Sequence, residues 1–234
     1  MTPVGRQRSA SSSRIKAVLF DLDGTLYDRD RVVEELLAAQ YRAFAAELHG
    51  LSAAKFLRDV LAMDDHGYGV KEAGYRDLVD RWQLEASLAE RLLSHFWDTY
   101  DGHCRLAADV SSTLDRLRER GLRLAIVTNG EGRRQRAKIG ALGLGASFDA
   151  ILVSGEEGVR KPDAEMFFRA LRRCGVGAHE ALFVGDHPVV DVQGAHLAGL
   201  LAVWKHVPYW EPVIADAPVI RDLTDLLKIC DQRE

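Results

Sequence analysis

The chain has 234 residues, 47% of them hydrophobic, enough to bury a sizeable core in one domain with an insertion or in two small ones. Lys and Arg number 31 against 35 Asp and Glu, a formal charge of −4, so no overall basic field draws nucleic acid polymers or an anionic membrane. No apolar run approaches the roughly 18 to 20 residues of a membrane span, and Cys104, Cys174 and Cys230 form no CxxC pair, which reads as idle reduced thiols in a cytoplasmic protein.

Residues 1–14 are polar and rich in Arg and Ser, and read as a flexible tail without the apolar stretch of a secretory signal. The run AVLF (17–20) reads as a buried strand. Residues 30–104 carry apolar positions at helical spacing almost throughout and read as an inserted helical domain. Its least regular stretch, 63–75, holds three glycines and mixed polar groups. Strand-like runs return at 122–128, 150–154, 181–185 and 200–204, with helices between them at 109–120 and 163–174. The later helix opens on acids, closes on arginines and stops before Gly175, as the helix dipole favours. This alternation predicts an α/β fold, a doubly wound Rossmann-like parallel sheet over 15–29 and 105–234, with the helical segment 30–104 inserted as a cap.

In open α/β sheets, ligands bind at the carboxyl ends of strands. The first strand delivers Asp21, Asp23, Gly24 and Thr25; the second Thr128, Asn129 and Gly130; the third leads to Lys161 and Pro162; the fourth delivers Gly185, Asp186, His187 and Asp191. Asp21 and Asp23, two apart in extended chain, point the same way. Joined by Asp186 they would repel one another, a conflict that a hard divalent cation such as Mg²⁺ removes. Taken alone, DxDGT is also a common turn, TNG an ordinary strand-to-helix corner and Lys161 a surface lysine. Together, Thr128 with the backbone amides of Asn129 and Gly130 could hold an anion, and a phosphate there would need the charge of Lys161.

The set DLDGT (21–25), VTNG (127–130), VRKPD (159–163) and GDHPVVD (185–191) resembles the four motifs of the haloacid dehalogenase superfamily, in order and in the right strand contexts. The helical segment after the first motif resembles the cap of its first capped subfamily, which in many members shields the site and selects substrates. The resemblance implies a Mg²⁺-dependent phosphohydrolase acting on a small phosphorylated metabolite. Asp21 would be the nucleophile, forming an aspartyl-phosphate. Asp23 would protonate the leaving alkoxide and then take a proton from water. Mg²⁺ would be held by the Asp21 carboxylate, the Asp23 carbonyl and the Asp186 carboxylate, with Asp191 orienting that shell. Thr128, Asn129 and Lys161 would hold the phosphoryl oxygens.

The same core serves phosphomutases. The dehalogenases resemble a DxYGT pattern, and this chain keeps the second acid. A protein that only binds phosphate would not need Asp23. Substrate choice is assigned to the irregular stretch of the insertion, to Asp65, His66, Tyr68 and Lys71. His187 stands where it could touch a leaving group or merely pack. The run RRQRAK (133–138) reads as a solvated helix face, and the four tryptophans as packing residues.

Overall fold

The computed structural model of the protein describes residues 14–232, so the expected tail lies outside the described residues up to position 13. In chain order the elements begin with β1 (Ala17–Phe20), α1 (Arg29–Ala43), α2 (Ala53–Asp64), α3 (Lys71–Arg81), α4 (Ser87–His103) and α5 (Val110–Glu119). They continue with β2 (Arg123–Thr128), α6 (Gly132–Ala141), β3 (Ala150–Val153), α7 (Ser154–Glu157) and α8 (Ala164–Cys174). The chain ends with β4 (Ala181–Gly185), α9 (Gly194–Leu197), β5 (Leu201–Lys205), β6 (Val219–Ile220) and α10 (Asp225–Asp231). Among the described residues, 14–21, 109–129 and 147–232 form one compact unit, and 22–108 with 130–146 form another.

The first unit is built on a six-stranded sheet of order β3-β2-β1-β4-β5-β6, all of whose pairs are parallel. Every residue of β1 is buried, as a central strand covered on both faces requires. Phe20 is in register with Ile126 of β2 on one side and Val184 of β4 on the other, so the chain leaves all three strands at the same edge. This is the switch point of a doubly wound sheet, where strand order reverses. On one face, Met166, Phe167, Ala170 and Leu171 of α8 pack with Leu19, Val127 and Phe183, and the rings of Phe167 and Phe183 meet edge to face at 5.1 Å. The Asp163 carboxylate caps α8 by accepting from the Glu165 amide at 2.9 Å.

All five expected strands are present, with ends shifted by at most a residue. The two-residue β6 was not foreseen, since the apolar run at 217–220 is short and interrupted by Pro218. It is fixed by bonds the sequence does not announce, from the Trp204 amide to the Pro218 carbonyl at 2.8 Å and from the His206 amide to the Ile220 carbonyl at 2.9 Å.

The second unit is helical. Asp28 caps α1 through the Arg31 amide and Ser52 caps α2 through the Lys55 amide. Its interior is lined by Val33, Leu36, Leu37, Phe56, Val60, Leu78, Leu92 and Phe96. A buried polar network crosses it: Tyr75 donates to Gln40 Oε1 at 2.8 Å, and Gln40 Nε2 donates to the Leu92 carbonyl at 2.8 Å, so neither amide atom of Gln40 is left unpaired.

The unit is wider than the 30–104 expectation, because α6 belongs to it. RRQRAK is accordingly not a solvated face: Gln135 and Lys138 are buried, on one stripe with Ile139 and Leu142. Nor is 63–75 a single loop. Met63 and Asp64 end α2, Asp65 to Gly67 form a tight turn, and residues 71–75 open α3. No helix among the described residues is long and apolar enough to cross a membrane. All three cysteines are buried and unbonded to one another.

Candidate active site

The carboxyl edge of the sheet brings Asp21, Lys161, Asp186 and Asp191 together. The Asp21 amide bonds the Val184 carbonyl at 2.9 Å, which extends the β1 ladder by one residue and sets the side chain at the strand mouth. Lys161, 2% exposed, donates from Nζ to Asp21 Oδ1 and to Asp191 Oδ1, each at 2.6 Å. Its backbone is clamped by the Asn129 side chain, which donates to the Lys161 carbonyl at 2.9 Å and accepts from its amide at 3.0 Å. Asn129 thus spends its side chain on placing the lysine, and its neighbour Thr128 is buried at the end of β2.

After β4 the chain turns through a short, wide helical segment, Pro188–Gln193. Asp191 Oδ2 accepts from the His187 amide at 3.1 Å. Its carboxylate lies so close over Gly185 that a Cβ there would stand 2.4 Å from Asp191 Cβ, which is why a glycine precedes the acid of this motif. Trp204 is more than packing, for its Nε1 donates to the Asp186 carbonyl at 2.7 Å. His187 caps the turn: its Nδ1 accepts from the amides of Val189 and Val190, both at 3.1 Å, and its ring lies 4.7 Å from that of Trp210.

Asp21, Asp186 and Asp191 each offer a carboxylate oxygen within 4.8 Å of the others. Burial first, then repulsion from Asp191 and Asp21, pushes the Asp186 carboxyl well above the usual carboxylate range. Burial opposes the Lys161 charge, yet Asp191 and Asp21 hold that ammonium above its ordinary value. Three carboxylates with one lysine are short of positive charge, and an all-oxygen donor set without His or Cys fits a hard cation such as Mg²⁺.

In the helical unit, Asp23 is bonded on both oxygens. Oδ1 accepts from Lys138 Nζ at 2.6 Å and from the Tyr27 hydroxyl; Oδ2 accepts from Gln135 Nε2 at 2.8 Å. Burial opposes its charge, but Lys138 and Arg29, with the bonds from Gln135 and Lys138, hold it well below the usual carboxylate range. Gln135 and Lys138 are the partners that the sequence reading missed. Their signal was the stripe 135, 138, 139, 142, which puts two polar side chains on the face that also buries Ile139 and Leu142. Gly130 has a matching use: a Cβ there would stand 2.8 Å from Gln135 Cγ.

The four residues assigned to substrate choice divide. Lys71 is buried and donates to Asp64 Oδ1 at 2.6 Å, so its ammonium is committed inside the fold rather than offered from a loop. Asp64 is also gripped by Arg29 through two bonds, 2.7 and 2.9 Å. Asp65 and His66 hold the left-handed conformation, φ 46° and 49°, and His66 Nδ1 lies 2.8 Å from Asp30 Oδ2. Asp65 is exposed and Tyr68 is 48% exposed.

A model of the haloacid dehalogenase-like hydrolase family matches residues 15–199. A glyceraldehyde 3-phosphate phosphatase of Methanopyrus kandleri is 35% identical over 194 residues, 81% of this chain and 83% of its own. The human N-acylneuraminate-9-phosphatase is 30% identical over 206 residues, 82% of this chain and 83% of its own. In fold, the magnesium-bound HAD-hydrolase YfnB of Bacillus subtilis is similar with a TM-score of 0.76, over 94% of this chain and 100% of that one, at 23% identity. A family match through the sheet, the acids and the lysine, with relatives of at least 30% identity over four-fifths of the chain, makes this protein a member of the haloacid dehalogenase-like hydrolases.

Proposed function

We propose that the protein hydrolyses a small phosphomonoester through an aspartyl-phosphate on Asp21. The observation that carries the reading is the Lys161 ammonium bonded at once to Asp21 and Asp191 inside a cluster of three carboxylates. A carboxylate can attack a phosphate dianion only where cations cancel their repulsion. Lys161 supplies one such charge and restrains the Asp21 carboxylate in one orientation. Asp21 and Asp186, with the Asp23 carbonyl, would hold Mg²⁺ and Asp191 would orient its surroundings; bound there, the ion supplies the remaining positive charge. Thr128 and the backbone amides of Asn129 and Gly130 would receive phosphoryl oxygens.

Asp23 would serve as acid and then as base. Its depressed proton affinity keeps it ionised, the form from which the second role starts, removal of a proton from the water that hydrolyses the intermediate. A phosphate dianion arriving beside it opposes its charge and raises that affinity, which suits the first. The relatives named for glyceraldehyde 3-phosphate and N-acylneuraminate 9-phosphate support a small phosphorylated metabolite as substrate.

The test is inorganic phosphate release from p-nitrophenyl phosphate and a panel of metabolite phosphates, with Mg²⁺ and with chelator. Turnover is expected with Mg²⁺ only, and Asp21→Asn should lose about 10³-fold or more. Acid quenching during turnover should trap phosphate on Asp21. Unchanged turnover in Asp21→Asn would refute the nucleophile. Phosphoryl transfer without phosphate release would mark a mutase, and halide release from a 2-haloacid would mark a dehalogenase.

A further inference from the structure

We infer that Gln135 and Lys138 are positioning residues for proton transfer, locking the plane of the Asp23 carboxylate; the inference rests on the reading of Asp23 as the acid and base. A carboxylate held by one oxygen can still turn about its Cβ–Cγ bond. This one is held at both, by Lys138 and Tyr27 on Oδ1 and by Gln135 on Oδ2. The partners are themselves fixed. The Tyr27 hydroxyl lies 3.0 Å from that of Tyr100 on α4, and Lys138 Nζ lies 5.0 Å from the centre of the Tyr100 ring. The Gln135 side chain occupies the space that a side chain at position 130 would take.

Economy of packing points the same way. Gln135 and Lys138 sit on the stripe that also buries Ile139 and Leu142, where a helix needing only stability would carry apolar residues. Replacing a buried ion pair by well-packed hydrophobic groups is commonly neutral or stabilising. Two buried polar side chains converging on one carboxylate are accounted for by what that carboxylate does. When the ester's P–O bond breaks, the leaving oxygen must receive a proton from Asp23 at the moment charge develops, and a rotating acid meets that geometry only part of the time.

The predicted signature is selectivity by leaving group. A p-nitrophenolate departs without a proton; an alkoxide does not. The quantity to read is kcat/KM, which stops at phosphoryl transfer to Asp21 and so isolates the step in which the leaving group is protonated. With Mg²⁺ present, Lys138→Met should lower kcat/KM for alkyl phosphates about 10²-fold while lowering it for p-nitrophenyl phosphate less than about 3-fold. Gln135→Leu, which keeps the buried charge pair, should show the same selectivity at about 10-fold, and thermal unfolding of both variants reports on the fold. Equal losses on the two ester classes in Gln135→Leu would overturn the inference and leave these residues a structural role. A wild-type protein inactive on both classes would instead refute the phosphohydrolase reading, and the inference with it.

Discussion

In the sheet unit one ammonium, Lys161, is bonded to Asp21 and Asp191 in a cluster of three carboxylates that Asp186 completes. In the helical unit three cations, Arg29, Lys71 and Lys138, are divided between Asp64 and Asp23. The contrast is clearest in two buried aspartates, both of which burial drives toward the neutral form. Asp186 then meets Asp191 and Asp21 and is pushed further up. Asp64 meets Arg29 and Lys71 and is held below the ordinary carboxylate range. The same residue type at similar depth is shifted in opposite directions by its neighbours. The helical cluster is electrostatically complete as it stands, whereas the sheet cluster is short of positive charge, which the proposed cation would supply.

Asp64→Asn should be the most damaging single change. It leaves Arg29 and Lys71 buried without their counter-charge, and a loss of about 3 to 5 kcal/mol in denaturant unfolding is expected. Its pH dependence has a fixed sign. The folded proton affinity of Asp64 is lowered, so its contribution is fully present above its unfolded value, about 3.9, and is lost only as pH falls through the depressed folded value. The difference between wild type and variant should be flat from about pH 5 to 8 and shrink below about pH 4. A difference of under about 1 kcal/mol at pH 7 would mean the helical cluster is not organised around Asp64.

The sheet cluster should respond to metal instead. Saturating Mg²⁺, at about 100 times its dissociation constant, should stabilise the wild type by about 2.7 kcal/mol in the same measurement. Asp186→Asn removes one of three mutually repelling acids. The metal-free variant should be more stable than the metal-free wild type by about 1 kcal/mol, and Mg²⁺ should no longer raise its unfolding midpoint. If Asp186→Asn destabilised the metal-free protein as Asp64→Asn does, the contrast between the two clusters would fail.

How much of this could be read from the chain follows from how far each feature reaches. The strand AVLF and the helix expected at 163–174 are local patterns; the strand stands at 17–20, and the helix runs from 164 to 174, with Asp163 as its cap. The side chains at the carboxyl edge of the sheet were legible because a parallel sheet must present its strand ends at one edge, so Asp21, Thr128, Lys161 and Asp186 could be collected before any contact was known. The partners of a buried charge carry no such rule. Lys138 reaches Asp23 across 115 positions and Arg29 reaches Asp64 across 35. A basic run such as RRQRAK therefore looks solvated until its stripe is aligned with Ile139 and Leu142. Lys71 was read into an irregular stretch for a local reason: glycines at 67, 69 and 74 suggested a loop, while the chain turns tightly at 65–67 and α3 begins at Lys71 itself.

Lys71 gives the smallest expected effect and the finest test of the comparison. Its ammonium is bonded to Asp64, but burial, together with Arg29 and Lys138 nearby, holds its proton affinity below the ordinary lysine value. Two further contacts favour its charge, the rings of Phe96 at 5.4 Å and Trp97 at 5.6 Å. Cation–π attraction of this kind is worth about 0.5 to 1 kcal/mol at partly exposed sites and more when desolvated. In Lys71→Met, Asp64 keeps both bonds from Arg29, the chain stem is replaced by one of similar volume, and the rings gain a thioether neighbour. Gains and losses nearly cancel, so stability should stay within about 1 kcal/mol of wild type, with kcat/KM unchanged for p-nitrophenyl phosphate. A loss as large as that of Asp64→Asn would make Lys71, not Arg29, the main counter-charge of the cluster. A selective fall in kcat/KM for substrates bearing a second anionic group, at unchanged stability, would return Lys71 to the substrate.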